Sequence, residues 1–115
     1  MSKDEAMIAY FAQDSLLIVH VIEPDGKVSW DRLDFSQVEQ LLERSEWARK
    51  DQKKANELYK ILLPASAKKY EKLLIIPDAS LYYLNFEILK DDEGKYLLES
   101  KQIRYGLSAA LLASF

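Results

Sequence analysis

The hydrophobic pattern of the chain is clearest at residues 73–76, where four apolar residues lead directly into Pro77 and Asp78. A run with no polar alternation is typical of a strand that is buried on both faces of a sheet. Pro77 has no N–H to donate, so we predict that the strand ends there. The apolar segment at residues 81–89 is expected to fold back onto the same core. Together they predict a central strand of an α/β sheet and its exit loop.

Towards the N-terminus, the pattern predicts an antiparallel meander of three strands. Residues 6–12 and 15–23 are two β-rich runs separated by Gln13-Asp14, which is the spacing of a tight hairpin. Pro24-Asp25-Gly26 is a strong turn signal. Residues 27–33 then alternate between polar and apolar, which favours a third strand near the edge of the sheet.

Helical spacing begins after the meander and predicts two to three helices. Ser36 with Glu39 three positions later forms a capping-box pattern, although Asp34 is an alternative cap. The charged residues 43–54 predict a loop, a break or a solvated helix. A clean helical stripe follows, with Pro64 after it and room at residues 65–72 for one further short helix. The stripe consists of Ala55, Leu58, Tyr59, Leu62 and Leu63.

The C-terminal third predicts a β-hairpin, a last strand and a C-terminal helix. The acidic turn at residues 91–94 suggests a hairpin between residues 87–89 and 96–98. Residues 102–105 form a further strand, which we expect to pair through a turn at Ser100-Lys101. Ser108 can cap a helix at residues 109–115. This helix stops without the usual stop signals, which favours a chain cut within a domain over a C-terminus that packs onto the core.

Composition limits the class of protein. The 115 residues are 49% hydrophobic and 30% charged, which suits one domain or part of one over residues 1–115. A net charge of −3 gives no electrostatic reason to expect nucleic acid. The absence of cysteine excludes disulfides and a thiol nucleophile, and it fits a cytoplasmic chain. No apolar run reaches the roughly 20 residues of a membrane helix.

The candidate catalytic residues favour a structural interpretation. His20 is the only histidine, and it lies inside an apolar strand, where a structural or half-exposed histidine is the usual finding. A Ser-His-Asp triad could be written from Ser80, His20 and Asp78. No nucleophile elbow of the G-x-S-x-G kind supports it, so we predict no such triad.

The other charged and aromatic clusters also predict no site. Asp91, Asp92 and Glu93 could attract a divalent cation, but the carboxylate spacing of a calcium loop is absent. The lysines lie beside acidic residues on helix faces, and the aromatic residues are expected in the core. We therefore predict no catalytic residue, no metal and no cofactor. These lysines are Lys53, Lys54, Lys68 and Lys69, and these aromatic residues are Tyr82, Tyr83 and Phe86.

The second half of the chain resembles the CHAT family, the caspase-like domains commonly attached to tetratricopeptide repeats in bacteria. The strongest part is LLIIPD at residues 73–78, followed by Leu81, Leu84, Phe86-Glu87 and Leu89. The meander at residues 6–33 also fits, so the resemblance spans nearly the whole chain. The sequence departs from the family where it has Ala79 for the usual Gly, and Asn85 and Leu107 for the usual Pro. These changes affect loop shapes more than the apolar pattern of the sheet.

The resemblance implies a partial caspase-like α/β fold whose catalytic His and Cys lie on later strands. No residue here matches either position, so we expect a non-catalytic N-terminal scaffold portion of a cysteine-peptidase domain. The implied partner is the rest of a larger tetratricopeptide-repeat protein. Half a sheet also leaves an exposed strand edge or apolar face, through which we expect a second copy to associate. The alternative is a complete α/β interaction module that takes a partner peptide at the edge near residues 27–33. A hydrolase that uses Ser and His20 ranks third.

Overall fold

A computed structural model describes residues 3–42, 52–78, 81 and 84–106. Within these ranges, five strands form one mixed sheet in the order β3-β2-β1-β4-β5, and short helices accompany it. The predicted α/β class is confirmed. The elements in chain order are β1 Glu5–Gln13, β2 Leu16–Ile22, β3 Val28–Asp34, α1 Phe35–Leu42, α2 Gln52–Leu62, α3 Ala65–Lys68, β4 Lys72–Ile76, a 3-10 helix Phe86–Ile88, α4 Leu97–Ser100 and β5 Gln102–Tyr105.

The N-terminal meander is confirmed, with β2 antiparallel to both β1 and β3. Its first turn is Asp14-Ser15, one residue later than predicted, because Gln13 still pairs with Leu16. Asp14 takes a φ of 55°, a conformation that Asp tolerates better than most residues. Gly26 supplies the positive φ of the second turn, at 93°. β3 then forms one end of the sheet, as its alternating pattern predicted.

β4 is the interior strand that the apolar run predicted, although β1 occupies the middle of the sheet. It runs parallel to β1 on one side and to β5 on the other. Leu73, Ile75 and Ile76 are buried, whereas Leu74 is partly covered. The strand ends at Ile76, since Pro77 cannot continue the ladder.

The helices pack on the face of the sheet that carries the even-numbered residues of β1. The hydroxyl of Tyr10 donates a hydrogen bond of 2.8 Å to the carbonyl oxygen of Leu62, which joins β1 to the end of α2. The predicted stripe of α2 is buried, and so are Leu81, Leu84, Phe86 and Leu89 after β4. Tyr82 and Tyr83, which were also expected in the core, lie outside the described residues. Buried members of this core include Ile8, Tyr10, Leu17, Val19, Val38, Leu58, Leu62, Leu73, Ile75, Leu81, Leu84, Phe86 and Leu89.

Two details of the helices differ from the prediction. α1 begins at Phe35, and the carboxylate of Asp34 accepts the N–H of Ser36 at 3.0 Å. Asp34 therefore caps the helix, and the capping box at Ser36 is wrong because Ser36 already lies inside the first turn. α3 is only four residues long, because Lys72 already belongs to β4. The charged residues 43–51 lie outside the described residues.

The predicted C-terminal hairpin forms only in part. Its acidic turn is present, with Gly94 at a φ of 79°, and an isolated antiparallel bridge between Lys90 and Tyr96 flanks it, but the two strands do not form. Short helical turns replace the strands because side chains cap them locally. Asn85 accepts the N–H of Glu87 at 3.1 Å, and Glu99 accepts the N–H of Tyr96 at 2.8 Å.

The last strand has the predicted bounds but a different partner. β5 pairs in parallel with β4, not through a turn with residues 96–98. The exposed edge of β4 offers a full ladder, whereas residues 97–100 are already helical. Gly106 ends the strand, and its N–H donates to the carbonyl of Ile75 at 2.9 Å. The helix predicted at residues 109–115 lies outside the described residues.

Candidate functional site

The carboxyl ends of parallel strands are where open α/β sheets place their chemistry. Asp78 lies at this edge, two residues beyond β4. One of its carboxylate oxygens accepts the N–H of Ala12 at 3.0 Å, so it joins the ends of β4 and β1. Ser80, the serine of the Ser-His-Asp combination, lies outside the described residues. The geometry therefore gives Asp78 a structural contact between two strands.

His20 lies in the middle of β2, opposite Ala9 of β1 and Trp30 of β3. Its ring centroid is 5.2 Å from that of Phe11, with the two planes tilted by 53°. The side chain is partly buried against this neighbour. This is the environment of a strand residue that packs, and the absence of a catalytic role stays a prediction.

The acidic turn uses its carboxylates to hold its own backbone. Asp91 accepts the N–H groups of Glu93 and Lys95 at 2.9 and 3.0 Å. Asp92 accepts the side-chain amide of Asn56 at 3.3 Å, and that amide also donates to two backbone carbonyls of the turn. Asn56 thus docks the turn on α2. Within the described ranges, no group of three His, Asp or Glu residues could hold a metal ion.

Glu5 is a buried carboxylate that the sequence did not single out. Its side chain is 4% exposed and receives a two-pronged contact from Arg104, at 2.9 and 2.7 Å. This charge-assisted pair raises the pKa of Arg104 and joins β1 to β5 across β4. Because the partners are 99 residues apart in the chain, no local pattern could have indicated the pair.

Glu23 is a second buried carboxylate, placed where β2 ends. It accepts a hydrogen bond from Lys69 at 3.0 Å and another from the hydroxyl of Tyr70 at 2.8 Å. These hydrogen bonds, from Lys69 first and Tyr70 second, lower the pKa of Glu23. The cluster fixes the connection between α3 and β4 against the meander. Its geometry is that of a structural clamp, because one carboxylate binds both an ammonium group and a hydroxyl group of the same connection.

An open groove of about 380 Å³ lies between β3, α1 and the end of α2. Apolar residues form its floor, and Asp31 faces it from the strand while Lys60 and Lys68 face it from the helices. Lys68 also lies over the ring of Tyr59, with its nitrogen 4.6 Å from the ring centroid. The groove can hold a side chain of an extended segment, but its described lining has no histidine or hydroxyl group to perform chemistry.

The outer edge of β3 borders this groove and carries two large apolar side chains in the open. Val28 is 62% exposed and Trp30 is 58% exposed. The guanidinium of Arg32 lies 5.4 Å from the ring centroid of Trp30. Sequence reasoning found this edge from the alternation at residues 27–33, but it could not find the groove, because the opposite wall comes from α2 and α3.

None of the helices in the described part of the chain is both long enough and apolar enough to cross a membrane.

Comparison with known proteins identifies the family. The family model of the CHAT domain matches residues 52–114, from the first residue of α2 to beyond β5. No curated protein matches the chain. The matched segment includes the LLIIPD run of β4 and its exit, the parallel pair β4–β5 and the helical turns between them. Since the model covers more than half of the sequence, the chain belongs to the CHAT domain family.

Proposed function

We propose that this chain is the non-catalytic N-terminal scaffold portion of a CHAT cysteine-peptidase domain. The observation that carries the proposal is the family match over residues 52–114 in a sequence with no cysteine. Cysteine-peptidase chemistry needs a thiolate and a base that activates it. These 115 residues contain no thiol, so in this proposal the chain alone is not an enzyme, and its partner is the part of the domain that holds the catalytic His and Cys.

The sheet supports this role through its order. β5 is parallel to β4 and forms the end of the sheet opposite β3 among the described strands. Parallel strands are rarely left at a wet margin, because their crossovers cover both faces of the sheet. We therefore place the next strands of the domain beyond β5. The pair between Glu5 and Arg104 holds β5 in register for them.

The wider setting is part of the same proposal. CHAT domains resemble caspases and commonly accompany tetratricopeptide repeats in bacteria, so we place this chain in a cytoplasmic tetratricopeptide-repeat protein. The repeats are the second expected partner. The lack of cysteine agrees with a reducing compartment, where structural disulfides are rare.

A reconstitution experiment tests the scaffold role. The 115-residue chain is mixed with a second polypeptide that carries the following stretch of the parent gene, and cleavage of a peptide library is measured. We expect no cleavage from either piece alone and cleavage from the mixture. Arg104→Ala should weaken reconstitution because β5 loses its tie to β1, whereas Leu98→Ala, at a side chain that is 56% exposed, should not. Full activity of the second piece alone would refute the scaffold role.

A second candidate function is an interaction module that binds a partner peptide by strand addition at β3. The observation that favours it is the exposure of every side chain of β3 except that of Leu33, which is partly buried. The parent gene discriminates between the two candidates. A downstream strand with His-Gly and another with Cys support the scaffold, and a stop codon after Phe115 supports the module.

A further inference from the structure

The backbone of β3 has a defined outward-facing set of hydrogen-bonding groups. Glu23 donates its N–H to the carbonyl of Lys27 at 2.9 Å, and Phe35 donates to the carbonyl of Ser15 at 2.9 Å. Because bonded and non-bonded pairs alternate in an antiparallel ladder, the odd-numbered residues of β3 are the ones bonded to β2. The even-numbered residues Val28, Trp30 and Arg32 direct their N–H and C=O groups away from the sheet.

One contact supports this assignment independently. The N–H of Arg32 is accepted by the carboxylate of Asp31 at 2.8 Å, so it is not used by β2. The side chain of Asp31 thereby occupies the outward N–H of Arg32, which another strand would otherwise use. Val28 and Trp30 keep outward backbone groups and exposed apolar side chains on the same face of the sheet. A short edge of this kind is a template for another strand.

We propose that β3 pairs antiparallel with β3 of a second copy of the chain, about a two-fold axis at Ser29. In this register Lys27 lies opposite Asp31 of the second copy, and Val28 lies opposite Trp30 of the second copy. By symmetry each of these pairs occurs on both sides of the axis. The two sheets then form one continuous sheet across the interface. This inference is independent of the scaffold role, because it uses the end of the sheet opposite β5.

Charge selects this register from its neighbours. A two-fold axis perpendicular to the sheet leaves every side chain on the face of the sheet where it started. The axis must therefore lie between the two copies of one residue, which then faces itself. An axis at Asp31 would place two Asp31 carboxylates opposite each other, and an axis at Arg32 would do the same with two guanidinium groups. An axis at Val28 would oppose Asp31 to Asp25. Like charges directly opposite each other destabilise a strand pair.

The remaining neighbour is an axis at Trp30, which avoids like charges but loses the complementary ones. It would pair Lys27 with Leu33 and Val28 with Arg32. The axis at Ser29 instead gives ion pairs between Lys27 and Asp31 and apolar pairs between Val28 and Trp30. In the isolated chain the ammonium group of Lys27 lies 4.0 Å from the carboxylate of Asp25, a distance long enough for it to turn to Asp31 of the second copy. Both groups are exposed, so the association should be weak and sensitive to salt.

A single engineered cysteine tests the register directly. The chain has no cysteine, so Ser29→Cys introduces the only thiol. Ser29 would face itself in a non-hydrogen-bonded pair, where Cα atoms are about 4.5 Å apart and within disulfide range. We expect mild oxidation to give a covalent dimer of Ser29→Cys, and little from Asp31→Cys, which would face Lys27. Predominant cross-linking of Asp31→Cys, or equal and slow cross-linking of both variants, would overturn the register.

Charge exchange tests the interface without a covalent bond. Sedimentation velocity of the wild-type chain from about 10 μM to about 1 mM should show a concentration-dependent dimer. Asp31→Lys or Lys27→Asp should each weaken the dimer roughly tenfold, since both ion pairs of the interface become repulsive contacts. The double variant K27D/D31K should restore it. A matched exchange on the acidic turn, E93K/K95E, should leave association unchanged, because Glu93 and Lys95 lie on the exposed turn that follows the 3-10 helix.

Each outcome of these experiments either supports the dimer or refutes it. A wild-type chain that stays monomeric at about 1 mM overturns the proposal, and so does a double variant that associates as weakly as the single ones. A circular dichroism spectrum and melting temperature close to wild type establish that each variant is folded. Failure here leaves the reconstitution of the peptidase unaffected, since that experiment reports on β5.

Discussion

Tyr10→Phe removes one buried hydroxyl that joins the middle strand of the sheet to the end of α2. The Tyr10 side chain has no exposed surface, and its hydroxyl donates to the carbonyl oxygen of Leu62 at 2.8 Å. Leu62 is the last residue of α2, and the final carbonyls of a helix have no partner within it. The variant therefore leaves a buried acceptor without this donor, while its ring can keep the contact with Phe86.

The expected cost at neutral pH is about 1–2 kcal/mol of unfolding free energy, which is the usual penalty for a buried polar group that loses its partner. For a domain of this size, about 1 kcal/mol corresponds to roughly 4 °C in melting temperature. Urea denaturation followed by circular dichroism measures the loss. The dependence of the free energy on urea should not change, because the surface exposed on unfolding is the same.

The same hydroxyl gives a second signature at high pH. Burial raises the pKa of Tyr10 above that of a free tyrosine, which is about 10. Below this pH the tyrosine is protonated in both states, and the full stabilisation is present. As the pH rises further, the unfolded chain releases the proton while the folded chain keeps it. The free energy of unfolding of the wild type should therefore fall more steeply with pH than that of Tyr10→Phe, by about 1.4 kcal/mol per pH unit.

Tyr59→Phe is the matched control at neutral pH. Tyr59 is also buried, at 6% exposed, but its hydroxyl has no hydrogen-bond partner among the residues that the structure describes. We expect a change of at most about 0.5 kcal/mol. A Tyr10→Phe chain that is as stable as wild type at pH 7, and that shows the same slope above pH 10, would refute the packing of β1 under α2.

Three further predictions concern the core, a helix cap and an acid transition. Leu73→Ala should cost about 2–5 kcal/mol in urea denaturation because it leaves a cavity beneath the helices, whereas Leu98→Ala should change the stability little; equal effects would contradict the assignment of β4 to the interior. Asp34→Ala should lower the free energy of unfolding by about 1 kcal/mol because α1 loses its cap, and Ser36→Ala should lower it by less. A larger loss for Ser36→Ala would favour the capping box at Ser36 instead. Because the pKa of Glu23 is lowered in the folded chain, its stabilisation is present above about pH 4.5 and is lost as the pH falls through the folded-state pKa. Glu23→Gln should therefore make the free energy of unfolding less dependent on pH in acid. An unchanged dependence would contradict the clamp.

The sequence predicted most accurately the elements that local patterns encode. Four apolar residues followed by Pro77 gave β4 and its end, and the turn at Gly26 gave the meander. The family resemblance came from the same stretch of β4, and the family match agrees with it. These signals succeed because burial and turn geometry act over a few residues.

The sequence failed where the deciding contact is distant or subtle. Residues 86–88 and 97–100 have strand-like composition, but acceptors from Asn85 and Glu99 favour helical turns there. The parallel partner of β5 is supplied by a strand from beyond the acidic turn, so the hairpin prediction had no means to choose it. Both buried carboxylates depend on residues far along the chain. The edge of β3 was predictable from alternation, but the outward direction of its backbone groups required the register with β2.

The pairing of β1 with β4 also constrains how the chain reaches this structure. β1 joins its hairpin partner β2 across only Asp14-Ser15, whereas its other neighbour, β4, comes after α1, α2 and α3 in the chain. The pair between Glu5 and Arg104 closes a separation of 99 residues. Loops of that length cost entropy before their contacts form, so such topologies fold slowly. We therefore expect one side of β1 to remain without its partner strand during synthesis until Leu73 and Ile75 emerge from the ribosome.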